Sequence, residues 1–395
     1  MTKRYDLAII GGGAGAFAAA IKANELGAKT ALINDGLPLG GTCVNVGCVP
    51  SKALLHAAEV VHTARSHGIP GINFELTPLD FGKVVQDELN LVDSLRHEKY
   101  EQVLHNLSHV THIRGRASFT SPRTVQVNGQ TVEAEKFIIA TGSTATVPPI
   151  DGLQKTGFLT HIEALKRKQL PKSLAIIGAG PLGLEFAQMY ARFGCKVTIL
   201  HKGPSIAPQA EPVLSQKLHD ILSREGIDIQ TNVEVQGVQT QSSSKIVRYL
   251  SAGQSSLLEV EEILIAAGKT ANTWQLDLDK AGVAIDEHQA VVTKPNLQTS
   301  QTNIYAVGDV TDLPKRLETT AGHEGTLAAE NALSSTGQYI NYDYVPYTIF
   351  TDPQLASVGL TEAEQMSRSG VCALPYRIVC ATTPGHHQPP HRRAH

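Results

Sequence analysis

Short apolar runs alternate with helical patterns along the chain, beginning close to the N-terminus. Residues 6–10 form an apolar run, residues 14–26 an alanine-rich helical pattern, and residues 29–33 a second apolar run. Apolar runs of this length, which do not alternate strictly with polar residues, are typical of strands that are covered on both faces. This order therefore predicts the strand, helix and strand of a parallel sheet.

The same order occurs again near the middle of the chain. Residues 174–177 and 196–200 are predicted strands, and residues 184–193 a predicted helix. A glycine-rich turn joins the first strand to the helix in both copies. The two copies predict two Rossmann-like nucleotide-binding units within one α/β chain.

Proline and glycine mark the boundaries between these units. Pro148, Pro149 and Gly152 predict a hinge, and residues 268–272 predict the return of the chain to the first unit. Turn residues at 341–346 predict the start of a third unit. From about Thr382 the sequence has no hydrophobic period, so this segment is predicted to be disordered.

The first glycine turn has the spacing of a dinucleotide-binding motif. Gly11, Gly13 and Ala16 fit G-x-G-x-x-G/A directly after a strand and at the start of a helix. Such a turn brings backbone amides and a helix N-terminus to a pyrophosphate. At the end of the second strand, Asn34 and Asp35 are both candidates to accept a hydrogen bond from a ribose hydroxyl.

The second glycine turn repeats the motif with Gly178, Gly180 and Gly183. An acid at the end of its second strand would bind an NAD ribose and repel a 2′-phosphate. Here the residues are His201 and Lys202, which favour NADPH over NADH as the cofactor. The alternative is a solvated strand end without a role in cofactor choice.

A pair of cysteines follows the first unit. Cys43 and Cys48 are five positions apart, which on an ideal helix separates their Cα atoms by about 8.6 Å. A disulfide needs less than roughly 7 Å, so a bridge requires a distorted turn, for which Gly47 provides freedom. A helix N-terminus also favours the thiolate. A structural disulfide and half of a zinc site are the alternatives.

Together, residues 40–52 (GGTCVNVGCVPSK) and the two glycine motifs resemble the pyridine nucleotide–disulfide oxidoreductases over about residues 5–361. The resemblance implies that Cys48 lies next to the flavin and that Cys43 exchanges with substrate. It also implies that Lys52 lies near the flavin, paired with Glu185.

The resemblance implies FAD at the first nucleotide site and a nicotinamide nucleotide at the second. It divides the chain into an FAD-binding domain (1–150 and 268–340), an NAD(P)H-binding domain (151–267) and an incomplete α+β dimerisation domain (341–395). Further cofactor-binding residues implied by it are Gly41, Thr42, Lys52, Thr141, Gly142, Ser143, Gly268, Gly308 and Asp309.

Within the family, several stretches resemble the mercuric reductases most, including residues 32–52, 95–101 and 317–333. This implies that Cys43 and Cys48 hold Hg(II) as a substrate metal, delivered as a thiolate complex. Dihydrolipoamide dehydrogenase is the alternative enzyme. A catalytically impaired flavin-binding fragment is the alternative from another class.

The family pattern is lost by about Cys380. The family's His-Pro-x-x-x-x-Glu pair, and the C-terminal cysteine pair of mercuric reductases, have no counterpart in this sequence. The resemblance implies a homodimer for the full-length family. The departure predicts that this chain dimerises poorly, turns over Hg(II) slowly and still reduces artificial acceptors.

The composition of the chain indicates which partners and which cellular compartment to expect. The 395 residues carry a net charge of −3, which favours neither nucleic acid nor an anionic membrane as a partner. Five cysteines do not form the dense framework of a small secreted protein, so a reducing cytoplasm is expected. Cys195, just before a strand, is predicted to be a small core residue.

Overall fold

The computed structural model describes residues 3–75 and 77–370. Helices and strands alternate along both of these ranges. The helices are α1 Ala14–Glu25, α2 Gly41–Val46, α3 Cys48–Ser66, α4 Phe81–Arg96, α5 Gln102–His105, α6 Leu153–Thr156, α7 His161–Lys166, α8 Pro181–Phe193, α9 Pro212–Arg224, α10 Leu278–Ala281, α11 Glu318–Ser334 and α12 Glu362–Ser369. Shorter turns are π-helical at His97–Glu101 and 3-10 at Gly308–Val310 and Tyr342–Tyr344.

The strands follow the predicted order. They are β1 Lys3–Ile10, β2 Thr30–Asn34, β3 Val110–Arg114, β4 Ala117–Ser121, β5 Thr124–Val127, β6 Gln130–Ile139, β7 Ser143–Ala145, β8 Ser173–Ile177, β9 Lys196–Leu200, β10 Asp228–Gln230, β11 Val233–Gln241, β12 Ser244–Ser251, β13 Gln254–Val260, β14 Glu262–Ile265, β15 Lys269–Ala271, β16 Ile304–Ala306, β17 Tyr347–Ile349 and β18 Leu355–Ser357.

These elements are grouped in two units. The first contains the chain up to Pro50, Leu89–Thr146 and Gly268–Val345, and the second contains Ser51–Glu88, Val147–Ala267 and the chain from Pro346 onward. The chain passes between the units close to the predicted hinge and return. The predicted disorder after Thr382 lies outside the described residues.

The first unit is built on a sheet whose central strand is β1. The strand order is β3-β2-β1-β6-β5-β4, with β16 also paired to β6, and β1 is parallel to both of its neighbours. Leu7 and Ile9 pack on one face with α1 and α11, whereas Ala8 and Ile10 pack into a second cluster on the other face. Both faces are covered, which explains why β1 is apolar without alternation.

In the second unit, β10, β9, β8 and β14 form a parallel sheet in that order, and β11, β12 and β13 form an antiparallel one. Helix α8 packs on β9 and starts at Pro181, where the fixed φ of proline suits the first helical position. The predicted α/β class with two Rossmann-like units is confirmed. Strands β17 and β18 form a separate hairpin.

Cys195 is 5% exposed in the second unit, which confirms that it is a core residue. Within the described residues, no helix is both long and apolar enough to cross a membrane.

Candidate redox and nucleotide sites

The first glycine turn leaves free amides at the start of α1. Gly13 is the N-cap residue, and no side chain caps the helix there. Gly11 has φ +136°, and a Cβ at this position would lie 2.2 Å from the Ala140 carbonyl oxygen. A Cβ on Gly13 would meet only the Cα of Gly41, at 3.8 Å. Because the space beside Gly13 is open and its helix end is uncapped, the turn fits the pyrophosphate of FAD. Ala16 is fully buried against the sheet.

The two candidate ribose partners are placed differently. Asn34 is the last residue of β2 and lies beside the glycine turn. A Cβ built on Gly12 would lie 2.5 Å from the Cγ of Asn34. Its Nδ2 donates to the Leu37 carbonyl at 3.1 Å. The Asp35 carboxylate instead accepts a hydrogen bond from Arg116 Nε at 2.8 Å, on an exposed surface. The structure therefore brings Asn34, rather than Asp35, to the turn.

Asp309, another predicted FAD residue of the first unit, is held by two donors, one of which is the predicted residue Ser143. Its Oδ2 accepts hydrogen bonds from Ser143 Oγ at 2.7 Å and from Lys269 Nζ at 2.8 Å. Burial raises the pKa of Asp309, but the charge and hydrogen bond of Lys269, the Ser143 bond and the Arg316 charge outweigh it, so the pKa lies below its usual range. Asp309 is therefore an ionised acceptor.

Strands β7 and β15 hold the neighbouring predicted residues. Thr141 Oγ1 donates to the Asn272 carbonyl at 2.8 Å, and Asn272 Nδ2 donates back to the Thr141 carbonyl at 3.0 Å. The Gly142 carbonyl accepts from Asn272 N, and the Gly268 carbonyl accepts from Thr146 N, both at 2.9 Å. These bonds fix the chain where it leaves the first unit and where it returns.

The two redox cysteines lie on either side of a helix break. Cys43 is in α2, Cys48 is the first residue of α3, and Gly47 between them has φ −136° and ψ −108°. A Cβ on Gly47 would lie 2.8 Å from the Thr42 carbonyl oxygen, so glycine is required. Cys43 is half-buried and Cys48 is exposed. The break removes the ideal-helix separation that would otherwise keep the sulfurs apart.

The neighbourhood of Cys48 and burial change the acidity of the Cys43 thiol. The pKa of Cys43 is raised far above its usual range, first by a hydrogen bond to Cys48 and then by burial and by the charges of Cys48 and Glu318. This direction is opposite to the one expected for a thiol near a helix start. Cys43 therefore holds its proton more tightly than an ordinary thiol does.

Asn45 and Arg96 organise the loop before the cysteines, a role that the sequence reasoning missed. Asn45 Nδ2 donates to the carbonyls of Pro38, Leu39 and Gly41 at 3.1, 3.0 and 2.8 Å. Arg96 donates to Asn45 Oδ1 at 3.3 Å. The position of Asn45 between the two cysteines, within residues 43–48, is the feature of the sequence that could have indicated this role.

Tyr100 is a further neighbour of the pair in the first unit. Its ring packs edge-on against Phe17, with centroids 4.8 Å apart. Burial, and then the charges of Cys43, Glu318 and Cys48, raises the pKa of Tyr100 to about 12. Tyr100 is therefore protonated at neutral pH and adds no charge beside the thiols.

In the second unit, Lys52 and Glu185 form the predicted ion pair. Lys52 Nζ lies 2.7 Å from Glu185 Oε2, and Glu185 is almost fully buried. The other oxygen, Oε1, accepts from Phe350 N at 2.9 Å, and Lys52 Nζ lies 4.5 Å from the centre of the Phe350 ring. The hairpin of β17 and β18 thus contributes to holding this pair, which sequence reasoning did not foresee.

The second glycine turn has the geometry of the first. Gly178 has φ +117°, and a Cβ there would lie 2.3 Å from the Ala266 carbonyl oxygen. A Cβ on Gly183 would lie 2.1 Å from the Gly178 carbonyl oxygen. A Cβ on Gly180, the uncapped N-cap of α8, would meet nothing within 4 Å. The open amides again fit a pyrophosphate.

His201 and Lys202 follow β9 and have different charge states. Burial lowers the pKa of His201, which outweighs the opposite effect of a hydrogen bond to the Ser205 backbone. Its Nδ1 accepts from Ala179 N, in the glycine turn, at 3.3 Å. Lys202 is exposed. At neutral pH, therefore, His201 is uncharged and Lys202 carries the positive charge.

No group of three or more histidine, cysteine, aspartate or glutamate side chains that would hold a metal occurs in the described part of the chain.

The model of the family described as pyridine nucleotide-disulphide oxidoreductase matches residues 5–333. A mercuric reductase of Staphylococcus aureus is 38% identical over 360 residues, covering 91% of this chain and 65% of that protein. One from Streptomyces lividans is 40% identical, covering 93% of this chain and 78% of that protein. A dihydrolipoyl dehydrogenase of Trypanosoma brucei brucei is 35% identical, covering 93% and 78%.

Among solved structures, the HOCl-induced flavoprotein disulfide reductase RclA of Escherichia coli, as a Cu(II) complex, superposes with a TM-score of 0.81. It is 31% identical, and the match covers 92% of this chain and 79% of that one. The chain spans 65% and 57% of the mercuric reductases of Staphylococcus aureus and Bacillus cereus. With two glycine turns of the dinucleotide-binding type and a pair of cysteines, the chain belongs to the pyridine nucleotide-disulphide oxidoreductase family.

Proposed function

We propose that this chain uses NADPH to reduce Hg(II) to Hg(0) through the Cys43/Cys48 dithiol. The observation that carries the proposal is the placement of the two cysteines on either side of the Gly47 helix break, with Cys48 exposed, because it leaves a soft sulfur open to a metal ion. Soft thiolates bind soft metal ions tightly. The similarity to proteins named mercuric reductase, at 38% and 40% identity, supports this substrate.

FAD, when bound, accepts hydride from the nicotinamide nucleotide and passes two electrons on. The Gly13 turn and Asp309 would hold it in the first unit, and the Gly180 turn would hold the nucleotide in the second. Two electrons and two protons convert the Cys43–Cys48 disulfide into two thiols. The thiols release their protons as they bind Hg(II). A second NADPH would supply, through the flavin, the two electrons that convert Hg(II) to Hg(0), and both cysteines would remain as thiolates, ready for the next ion.

Two residues prepare the dithiol for this role. The pKa of the half-buried Cys43 is raised by its hydrogen bond to Cys48 and by burial, and we propose that the first thiolate forms on the exposed Cys48. Lys52, held by buried Glu185 and the Phe350 ring, provides a fixed cation four residues after Cys48. We also propose a reducing cytoplasm as the setting in which the chain acts.

NADPH preference is expected to depend on Lys202 at neutral pH and on both residues at acid pH. Lys202→Glu should lower the ratio of kcat/KM for NADPH to that for NADH by about tenfold or more, because one attractive charge becomes repulsive. His201→Glu should also shift the preference toward NADH. The pKa of His201 is depressed, so its ring gains charge only as the pH falls below the usual histidine range.

The NADPH/NADH ratio should therefore rise as the pH is lowered in the unaltered chain and stay flat in His201→Gln. The measurement is steady-state reduction of a dye by each nucleotide from pH 5 to pH 8. An unaltered chain that prefers NADH clearly would contradict NADPH as the cofactor.

Dihydrolipoamide dehydrogenase is the second candidate, because a dihydrolipoyl dehydrogenase is 35% identical over 384 residues. The test compares two reactions of the purified chain. One is NADPH-driven release of Hg(0) vapour from a Hg(II)–thiolate complex, and the other is reduction of NAD⁺ by dihydrolipoamide. We expect the first to be the faster. Faster dihydrolipoamide turnover would overturn the mercury assignment and leave the family unchanged.

A catalytically impaired flavin-binding fragment would behave differently in the same test. It would show an FAD spectrum but neither reaction. Gel filtration of the same sample measures whether it is a dimer.

A further inference from the structure

The most buried carboxylate near the FAD turn has no role in the chemistry described above. Glu324, in α11, is 1% exposed. Its Oε2 accepts a hydrogen bond from Gly308 N at 2.6 Å, and its Oε1 accepts one from Tyr342 OH at 2.9 Å. All of these residues belong to the first unit. Glu324 has no salt-bridge partner among residues 3–75 and 77–370, and a carboxylate so buried is costly, which points to a functional reason for its presence.

Gly308 is the residue before Asp309, the proposed ligand of FAD. The backbone at Gly308 has φ +73°, and its carbonyl accepts from Thr311 Oγ1 at 2.7 Å. The Glu324 carboxylate fixes the amide of this residue, while Ser143 and Lys269 fix the Asp309 side chain. The turn is therefore held on its backbone side by one carboxylate and on its side-chain side by two donors.

We propose that Glu324 is a positioning residue for FAD: by holding the Gly308 amide it keeps Asp309 oriented toward the flavin's polyol chain. The Tyr342 hydroxyl holds the other oxygen of this carboxylate, Oε1, by a hydrogen bond. The inference rests on the proposed binding of FAD by the first unit.

The groups that act on Glu324 define how it titrates. Burial, together with the charge of Asp309, raises the pKa of Glu324. The hydrogen bonds from the Gly308 amide and the Tyr342 hydroxyl lower it, and the net result is a pKa of about 7. Lys269 offsets the Asp309 charge. Lys22, on the neighbouring α1, is engaged by Glu25 and Glu330. An ionised Glu324 accepts the Gly308 hydrogen bond more strongly than a protonated one.

The test measures two properties of Glu324→Gln against Glu330→Gln on the same helix. FAD is titrated into the flavin-free chain by fluorescence, and the free energy of unfolding of that chain is measured from pH 5 to pH 8. We expect Glu324→Gln to weaken FAD binding about tenfold at pH 8. We also expect FAD binding to tighten with rising pH in the unaltered chain and to lose this dependence in the variant.

Stability should change in the other direction. Since the folded-state pKa of Glu324 lies above the ordinary 4.5, its contribution to stability is present below that value and is lost as the pH rises through about 7. The unaltered chain should therefore lose stability relative to Glu324→Gln between pH 5 and pH 8. A variant that is no less stable at pH 8 and yet binds FAD less tightly separates positioning from a purely structural role.

Tyr342→Phe gives an independent readout, with exposed Tyr344→Phe as its control. Loss of the hydroxyl removes a bond that lowers the Glu324 pKa, so the midpoint of the FAD pH profile should move to higher pH. FAD affinity of Glu324→Gln within twofold of the unaltered chain, or an equal loss of stability at every pH, would overturn the inference. Failure of the unaltered chain to bind FAD would instead overturn the proposed function.

Discussion

Cys48→Ser is expected to reduce NADPH-driven Hg(II) reduction by on the order of a thousandfold or more, and Cys43→Ser to have a similar effect. A hydroxyl neither forms the disulfide nor binds Hg(II) as a thiolate does. Reduction of quinones or dyes, which take electrons from the flavin, should change by no more than a few-fold. The measurement is the rate of Hg(0) release beside the rate of dye reduction for each variant.

The two variants are expected to differ in their spectra. Cys48→Ser should lose the long-wavelength thiolate–flavin band that appears on two-electron reduction, whereas Cys43→Ser should keep such a band even when oxidised. The reason is the proposed order of the sulfurs, with the thiolate on Cys48. Cys195→Ala is the control, because burial raises the pKa of Cys195 to about 12 and leaves it unreactive. The reverse pattern in the two serine variants would show that the roles are exchanged.

Gly13→Ala and Gly180→Ala are expected to weaken FAD and nicotinamide nucleotide binding respectively, each by about thirtyfold or more. Several charge-assisted hydrogen bonds from backbone amides to a pyrophosphate would be displaced by one methyl group. Neither change should unfold the chain, since the added Cβ meets nothing closer than 3.8 Å at Gly13 and nothing within 4 Å at Gly180. FAD titration and the KM for NADPH measure the two effects.

Each of these variants is the control for the other, because one site should be affected and the other left intact. Gly11→Ala gives the contrast, since its Cβ would lie 2.2 Å from the Ala140 carbonyl oxygen and should destabilise the fold. If Gly13→Ala bound FAD as tightly as the unaltered chain, the pyrophosphate would not lie at this turn.

The sequence predicted those parts of the molecule that depend on local pattern. The apolar runs at β1 and β8 and the helices after their glycine turns were predictable because a buried parallel sheet requires that order. Gly47 was also predictable as the point of distortion between the cysteines. In these cases the residue type and its neighbours in sequence determine the structure.

Contacts between distant residues were not predictable in the same way. Arg116, which lies between β3 and β4, pairs with Asp35. Asn34, by contrast, lies beside the first glycine turn. The depressed pKa of His201 arises from burial that its neighbours in sequence do not reveal. Glu324 is separated from Gly308 by sixteen positions and carries no motif of its own. Tertiary packing decides each of these features.

The most direct measurement of the central claim is an anaerobic titration of the FAD-loaded chain with NADPH, followed by absorbance and by counting free thiols. A chain that couples FAD to the Cys43–Cys48 disulfide should take up about two hydride equivalents per flavin and gain two thiols, because the disulfide is a two-electron couple. The Cys43→Ser/Cys48→Ser double variant should take up about one. Equal uptake by both proteins, with no thiols gained, would contradict the account.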